Sequence, residues 1–283
     1  MNGVTLHWAE EGEGPLVVLL HGFPEFWYSW HHQLPALAAA GFRAVAPDLR
    51  GYGLSGKPRG VRAYRIETLV ADVAALIARL GEGKKGVRAH VVGHDWGGVL
   101  AWYLPLFHPE ICLSVTVLNA PHPVAFRRAL KTSPGQRRRS RYVFFFQLPL
   151  LPERAMRKGN FAVLEKMLRR DPVRPGAFTD EDIRLYKEAL ARPGALTSAI
   201  NYYRAAFRRP PRTRGRRWPE GLPAILVWGE KDRYLGPALA EGLEEWVPGI
   251  RVACLPEASH WVQNDAPGEV NRLLVGFLSS FSS

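Results

Sequence analysis

Six short β-rich apolar runs punctuate the 283-residue chain: "PLVVLL", "FRAVAPD", "AHVVGHD", "SVTVLNA", "AILVWGE" and "RVACLPE". Strands that are apolar on both faces must be covered on both faces, and the stretches between the early runs read as helices, "ETLVADVAALIARLG" most clearly. This alternation predicts a mostly parallel central sheet with helices on either side. The rhythm breaks once. From about 124 to 218 the chain reads as helices punctuated by proline and arginine, including "RRPPRTRGRR", a predicted loop. The simplest organisation is an α/β core in two parts, 1–123 and 219–283, interrupted by a helical cap, 124–218.

The net charge of +12 raises the question of nucleic acid, so its location matters. Residues 124–220 hold 24 Lys+Arg against 8 Asp+Glu, and 30 of the 38 cations are arginine. The remainder of the chain is slightly acidic. No base-reading module accompanies the arginines, so they read as a solvated face of the cap and nucleic acid is not an expected partner. The opening "MNGVTLHWAEEGEG" lacks a basic start followed by a long apolar core, and "PLVVLL" is far too short to cross a bilayer. A cytoplasmic protein without membrane insertion, monomeric or homodimeric, is expected. Cys112 and Cys254 lie far apart in apolar runs and read as buried free thiols.

The stretch "HVVGHDWGGVL", residues 90–100, carries the chemistry. An apolar strand meets Gly-x-Asp-x-Gly and turns at once into an apolar helix. So sharp a bend needs positive φ at its tip and small neighbours, because strand and helix approach closely. Asp also tolerates such backbone and caps helices, so the turn alone does not assign Asp95 a role. Its partners do. After the interruption, "WGEKD" follows a strand with Asp232, and with Glu230 as a weaker rival; "EASHW" follows the next strand with His260. Asn119, after "SVTVL", occupies another place for the acid but cannot carry its charge. Asp95, Asp232 and His260 each lie beyond the carboxyl end of a predicted strand, where open sheets place their sites. The loop "HGFPE" puts the Phe23 N–H opposite that of Trp96, a pair suited to an oxyanion hole, with Pro24 fixing the loop.

These pieces together resemble the epoxide hydrolases of the α/β-hydrolase fold. The resemblance rests on "HGFPE" at 21–25, "DLRGYG" at 48–53, "GHDWGG" at 93–98, "FFFQLP" at 144–149, "NYYR" at 201–204, "WGEKD" at 228–232 and "SHW" at 259–261, in the family's order. It implies an aspartate nucleophile, Asp95, that forms an alkyl ester, and a water activated by His260 with Asp232 orienting the ring. It also places two cap tyrosines, Tyr142 and Tyr203, as donors to the epoxide oxygen. Tyr202 and Tyr203 stand about 100° apart on a helix, so only one of them can face a given atom; the family register favours Tyr203, and the residue pattern alone leaves the choice open.

The implied reaction turns an apolar alkyl or aryl epoxide and water into a vicinal diol, with no metal or cofactor. Trp27 and Phe144 are expected to contact that substrate. The elbow and "HGFP" are shared with haloalkane dehalogenases, which use the same acid and histidine, and Trp96 suits a halide. Fluoroacetate dehalogenases, with arginine after the nucleophile, fit less well. A non-catalytic ligand-binding relative is the third alternative. Pro105, late in the helix after the elbow, is expected to kink or end it.

Overall fold

The computed structural model describes residues 2–81 and 86–281. Its seven strands are β1 (Trp8–Glu11), β2 (Leu16–Leu20), β3 (Arg43–Pro47), β4 (Ala89–His94), β5 (Cys112–Leu118), β6 (Ala224–Gly229) and β7 (Arg251–Leu255). They form one sheet in the order β1-β3-β2-β4-β5-β6-β7. Only β1 runs antiparallel, against β3; the other neighbours are parallel. Strands β2 to β7 are the six apolar runs. β1 has no counterpart among them: its "WAEE" is half-buried to exposed, as an edge strand covered on one side permits.

The helices that cover the sheet are α1 (Gln33–Ala39), α2 (Ile66–Leu80) and α3 (Trp96–Phe107). Side chains of β2 alternate between two cores. Val18 and Leu20 join Leu69, Leu76 and Leu100 of α2 and α3. Val17 and Leu19 pack on the other face with Leu34 of α1 and, near the C-terminus, Leu274. That period of two, buried on both faces, is why the run "LVVLL" is continuously apolar. α3 runs through Pro105 and ends two residues later, at Phe107. Cys112 is buried in β5, whereas Cys254 is exposed, contrary to expectation, because β7 is the opposite edge strand and is largely open to solvent.

All elements between β5 and β6 are helices: α4 (Pro123–Thr132), α5 (Pro134–Arg139), α6 (Arg141–Phe145), α7 (Leu151–Arg170), α8 (Asp180–Ala191) and α9 (Ala195–Arg208). Two further helices, α10 (Val262–Asp265) and α11 (Pro267–Ser279), follow β7. α7 is broken at 158–161, where Gly159, Asn160 and Phe161 all have positive φ.

One buried ion pair organises this helical segment. Arg204 of α9 donates to Glu153 Oε1 of α7 at 2.6 Å, and to the carbonyls of Phe146 and Leu148 at 2.9 and 2.6 Å. It therefore holds three pieces of chain around the residue next to Tyr203. Both side chains are largely out of solvent, so either one alone would be a buried, uncompensated charge. Glu153→Leu should lower unfolding free energy by about 3–5 kcal/mol, read from urea unfolding midpoints. Glu153→Leu with Arg204→Met should lose clearly less than that single change.

Candidate active site

The parallel strands deliver their polar residues to one edge of the sheet. β2 leads into Gly22 and Phe23, β4 into Asp95, β5 into Asn119, β6 into Asp232, and the loop after β7 into His260. Asp95 has φ +48°, the positive value expected for the tip of the elbow. The bend closes against the end of β2 so tightly that a Cβ on Gly97 would lie 1.9 Å from the Leu20 carbonyl oxygen. A Cβ on Gly22 would lie 2.4 Å from the Asp95 Cβ. No rotamer change relieves either contact.

This approach fixes the Asp95 carboxylate. Oδ1 accepts the Phe23 N–H at 2.8 Å, and the Trp96 N–H also favours the charged carboxylate. The Phe23–Pro24 peptide is cis. Oδ2 faces His260 Nε2 at 3.8 Å. Burial pushes the Asp95 pKa up, and His260, His94 and the two N–H groups offset that only in part.

On the far side of the imidazole, His260 Nδ1 lies 2.7 Å from Asp232 Oδ2. Asp232 is surrounded by donors: Asn119 Nδ2 at 2.9 Å, and the backbone N–H groups of Tyr234 and Leu235 at 2.7 and 3.0 Å. Burial alone would raise the Asp232 pKa; His260, Asn119 and Tyr234 more than reverse it, so it is lowered. Burial alone would likewise depress His260, yet the adjoining Asp232 and Asp95 charges lift it to about 9. Glu230, the weaker candidate for this acid, is exposed. Asn119 takes a different part from a triad acid. It braces Asp232 and accepts the Gly229 N–H at 2.8 Å.

A second buried layer lies beneath. His94 Nδ1 meets Glu25 Oε2 at 2.8 Å and its Nε2 meets the His260 carbonyl at 2.8 Å. Both ring nitrogens of His94 thus have a polar partner. Glu25 accepts two further bonds, from the Gly22 N–H at 2.8 Å and Gln263 Nε2 at 3.0 Å. Burial would raise the Glu25 pKa, but the His94 charge and hydrogen bond lower it overall. Sequence reasoning did not single out Glu25 or His94. The signal was present: a charged residue and a histidine inside "HGFPE" and the apolar strand ending "VVGH".

Above the carboxylate lies a cavity of about 250 Å³ lined by Asp95, His260 and Phe23 from the sheet side and by Tyr142 and Tyr203 from α6 and α9. The two phenol rings stand edge to face at 5.8 Å, and Tyr203 packs against Trp96 at 4.9 Å. Burial first, then the Asp95 charge, pushes both phenols well above their ordinary range, so they are protonated donors. Tyr202 points elsewhere. It is fully buried and donates to the Arg50 carbonyl at 2.8 Å.

The rest of the cavity wall is apolar, including Phe145, Phe146, Met156, Val163 and Met167. Trp27 and Phe144, the expected substrate contacts, do not line it. Trp27 stacks edge-on with Phe26 and Tyr28, and its backbone N–H donates to Asp48 Oδ1 at 3.0 Å. Phe144 turns outward and packs on Phe207, because successive residues of a helix point about 100° apart, and here Tyr142, Phe145 and Phe146 are the ones that reach the cavity. Tyr234, not anticipated, does line the cavity. Its ring meets both Tyr142 and His260, and its hydroxyl donates to Asp171, which follows α7. Among the described residues, no group of three or more His, Cys, Asp or Glu is placed to hold a metal.

A family model for the alpha/beta hydrolase fold matches residues 15–267. The chain is 42% identical to the AB hydrolase superfamily protein YfhM of Bacillus subtilis, over 99% of this chain and 96% of that protein. It is 37% identical to epoxide hydrolase 4 of Mus musculus, over 98% of this chain and 77% of the relative. An epoxide hydrolase from Bacillus megaterium, solved with an inhibitor, superposes with a TM-score of 0.86 at 35% identity, covering 98% of both chains. One from Vigna radiata gives 0.81 at 32% identity, covering 99% of this chain and 96% of that one. With sequence, architecture and near-full-length coverage in agreement, this chain belongs to the epoxide hydrolases of the α/β-hydrolase fold.

Proposed function

We propose that the chain adds water to apolar alkyl or aryl epoxides, giving vicinal diols through an alkyl ester on Asp95. The observation that carries this reading is the placement of one carboxylate: Oδ1 is held by the Phe23 N–H at 2.8 Å, Oδ2 faces His260, and Asp95 shares a cavity with two phenols. A variant of the Bacillus megaterium relative holds a naphthyloxy-propanediol product, a vicinal diol on an aryl group, which supports the substrate class.

Oδ2 attacks an epoxide carbon from the side opposite the breaking C–O bond. Tyr142 and Tyr203 face the ring oxygen, and one of them gives it a proton as the bond breaks. A positioned acid of this kind contributes roughly 10²–10⁴ in rate. Alkylation cancels the charge on Asp95, one of the charges that lift His260. The imidazolium then gives up its proton, which restores the phenol, and becomes a base only after the ester exists. Neutral His260 takes a proton from water, and the resulting hydroxide adds to the Asp95 carbonyl carbon. The oxyanion forms on Oδ1, already at the Phe23 N–H, with the Trp96 N–H as the second donor; such a donor is worth about 3–4 kcal/mol. Collapse breaks the ester C–O bond: His260 protonates the departing alkoxide to give the diol, and the Asp95 carboxylic acid so formed returns its proton to His260, restoring the carboxylate and the imidazolium. Asp232 keeps Nδ1 protonated and Nε2 aimed at the water.

His260→Gln incubated with an epoxide should gain the whole substrate mass on Asp95 in intact-mass spectrometry. An adduct formed only from haloalkanes, lacking the halogen, would place the chain with the dehalogenases instead. Tyr203→Phe with Tyr142→Phe should slow alkylation by about 10²-fold or more in single-turnover experiments; unchanged alkylation would remove both from the mechanism. Ester hydrolysis needs neutral His260, whose pKa in the ester lies below the value of about 9 found beside an ionised Asp95. Below that pKa the hydrolytic step should fall about tenfold per pH unit, so the ester should accumulate on acidification. Rapid quench across pH reads it directly.

A further inference from the structure

The helical segment carries an apolar surface that the reaction does not use. Of the ten large hydrophobics exposed among the described residues, seven lie between 144 and 207. Phe144, Phe145, Leu148, Leu150 and Leu151 follow one another along the chain, and the Phe144 ring meets Phe207 at 5.9 Å, joining α6 to the end of α9. Leu150 is the most open, 63% exposed, and stands on a left-handed backbone with φ +61°. Such backbone is costly for a bulky residue, and here it holds an apolar side chain out into solvent.

The same surface is cationic. Arg141, Arg154, Arg157 and Lys158 are exposed around these leucines and phenylalanines, and Arg208 reaches the Gln147 carbonyl at 2.8 Å. None of the five has a carboxylate partner among the described residues. From 141 to 163 the only acid is Glu153, and it is buried against Arg204. Phe145 and Val163 are exposed and also line the cavity, so the surface continues into the apolar chamber above Asp95.

We propose that this face docks on the surface of an anionic lipid bilayer, with the exposed apolar side chains entering the headgroup boundary and the arginines meeting lipid phosphates. Large apolar patches rimmed by cations suit an interface that is apolar below and negative above. A second copy of the chain suits it poorly, since a two-fold contact would set these unpaired cations against their own equivalents. Crossing the bilayer is not implied: among the described residues no helix is long and apolar enough to span it. Docking would set the mouth of the cavity against the phase into which apolar epoxides partition.

The full chain should co-sediment with phosphatidylglycerol–phosphatidylcholine vesicles and much less with phosphatidylcholine alone, and high salt should release it. Arg154→Glu with Arg157→Glu should weaken vesicle binding by about tenfold or more. Leu151→Ser with Phe207→Ser should weaken it while keeping the preference for the anionic lipid. Both variants should turn over a small water-soluble epoxide at the parental rate, which also verifies their folding. Absence of sedimentation with anionic vesicles, or sedimentation unchanged in both variants, overturns the proposal. So does a self-association that these substitutions abolish in place of vesicle binding, or capture of an acidic protein with vesicles ignored. Vesicle binding needs no turnover, so an inert protein that binds vesicles defeats only the epoxide reading, and an active one that ignores them defeats only this.

Discussion

The close approach of the β4–α3 elbow to the end of β2 is the constraint on which the site depends. β2 and β4 are neighbours in parallel register, with Leu20 opposite Gly93, so their chains leave the sheet side by side. With no side chain on Gly22 or Gly97, the Phe23 N–H reaches Asp95 Oδ1 at 2.8 Å. The carboxylate is thereby oriented, with Oδ1 on the Phe23 N–H and Oδ2 towards His260. Preorganisation of this sort removes a reorientation cost from the proposed nucleophile.

Electrostatics then separates three buried carboxylates that would otherwise be alike. Asp232 has an imidazole and several N–H donors, and its pKa is lowered. Glu25 is bound to the His94 ring and is lowered as well. Asp95 shares His260 with Asp232 at a longer distance, 3.8 against 2.7 Å, and its pKa is raised. The under-compensated carboxylate is the one whose charge a covalent bond to substrate would cancel. Two acids in well-satisfied surroundings hold histidines in place, and a third in a poorer setting is the proposed nucleophile. Environment assigns these parts, since two of the three are the same amino acid.

The helical segment supplies what the sheet cannot. α9 presents Tyr203 to the cavity and Tyr202 to Arg50, Tyr52 and Tyr64. Arg204, next along, locks the helix to Glu153 and to the turn that carries Phe146. Tyr234 connects this segment to the sheet side: its N–H supports Asp232 while its hydroxyl reaches Asp171. A displacement of the helices would thus be felt at Asp232 as well as at the phenols.

Much of this was legible in the residues because it depends on short-range pattern. Strands buried on both faces read as apolar runs, so β2 to β7 were visible, whereas β1, a short half-exposed edge strand, carried no such mark. The elbow announced itself because a sharp bend demands glycines at fixed offsets, and Asp232 and His260 followed from their places after strands. What the linear order could not decide was direction and distance. Whether Tyr202 or Tyr203 faces Asp95, that Phe144 looks outward, and that Trp27 packs away from the cavity depend on how α6 and α9 rotate against the core. That rotation is set by contacts between residues far apart in the chain, such as Arg204 with Glu153. The Glu25–His94 pair lay hidden for a related reason: two polar residues 69 positions apart are unremarkable in sequence, and become a coupled charge pair only when folding excludes water from both.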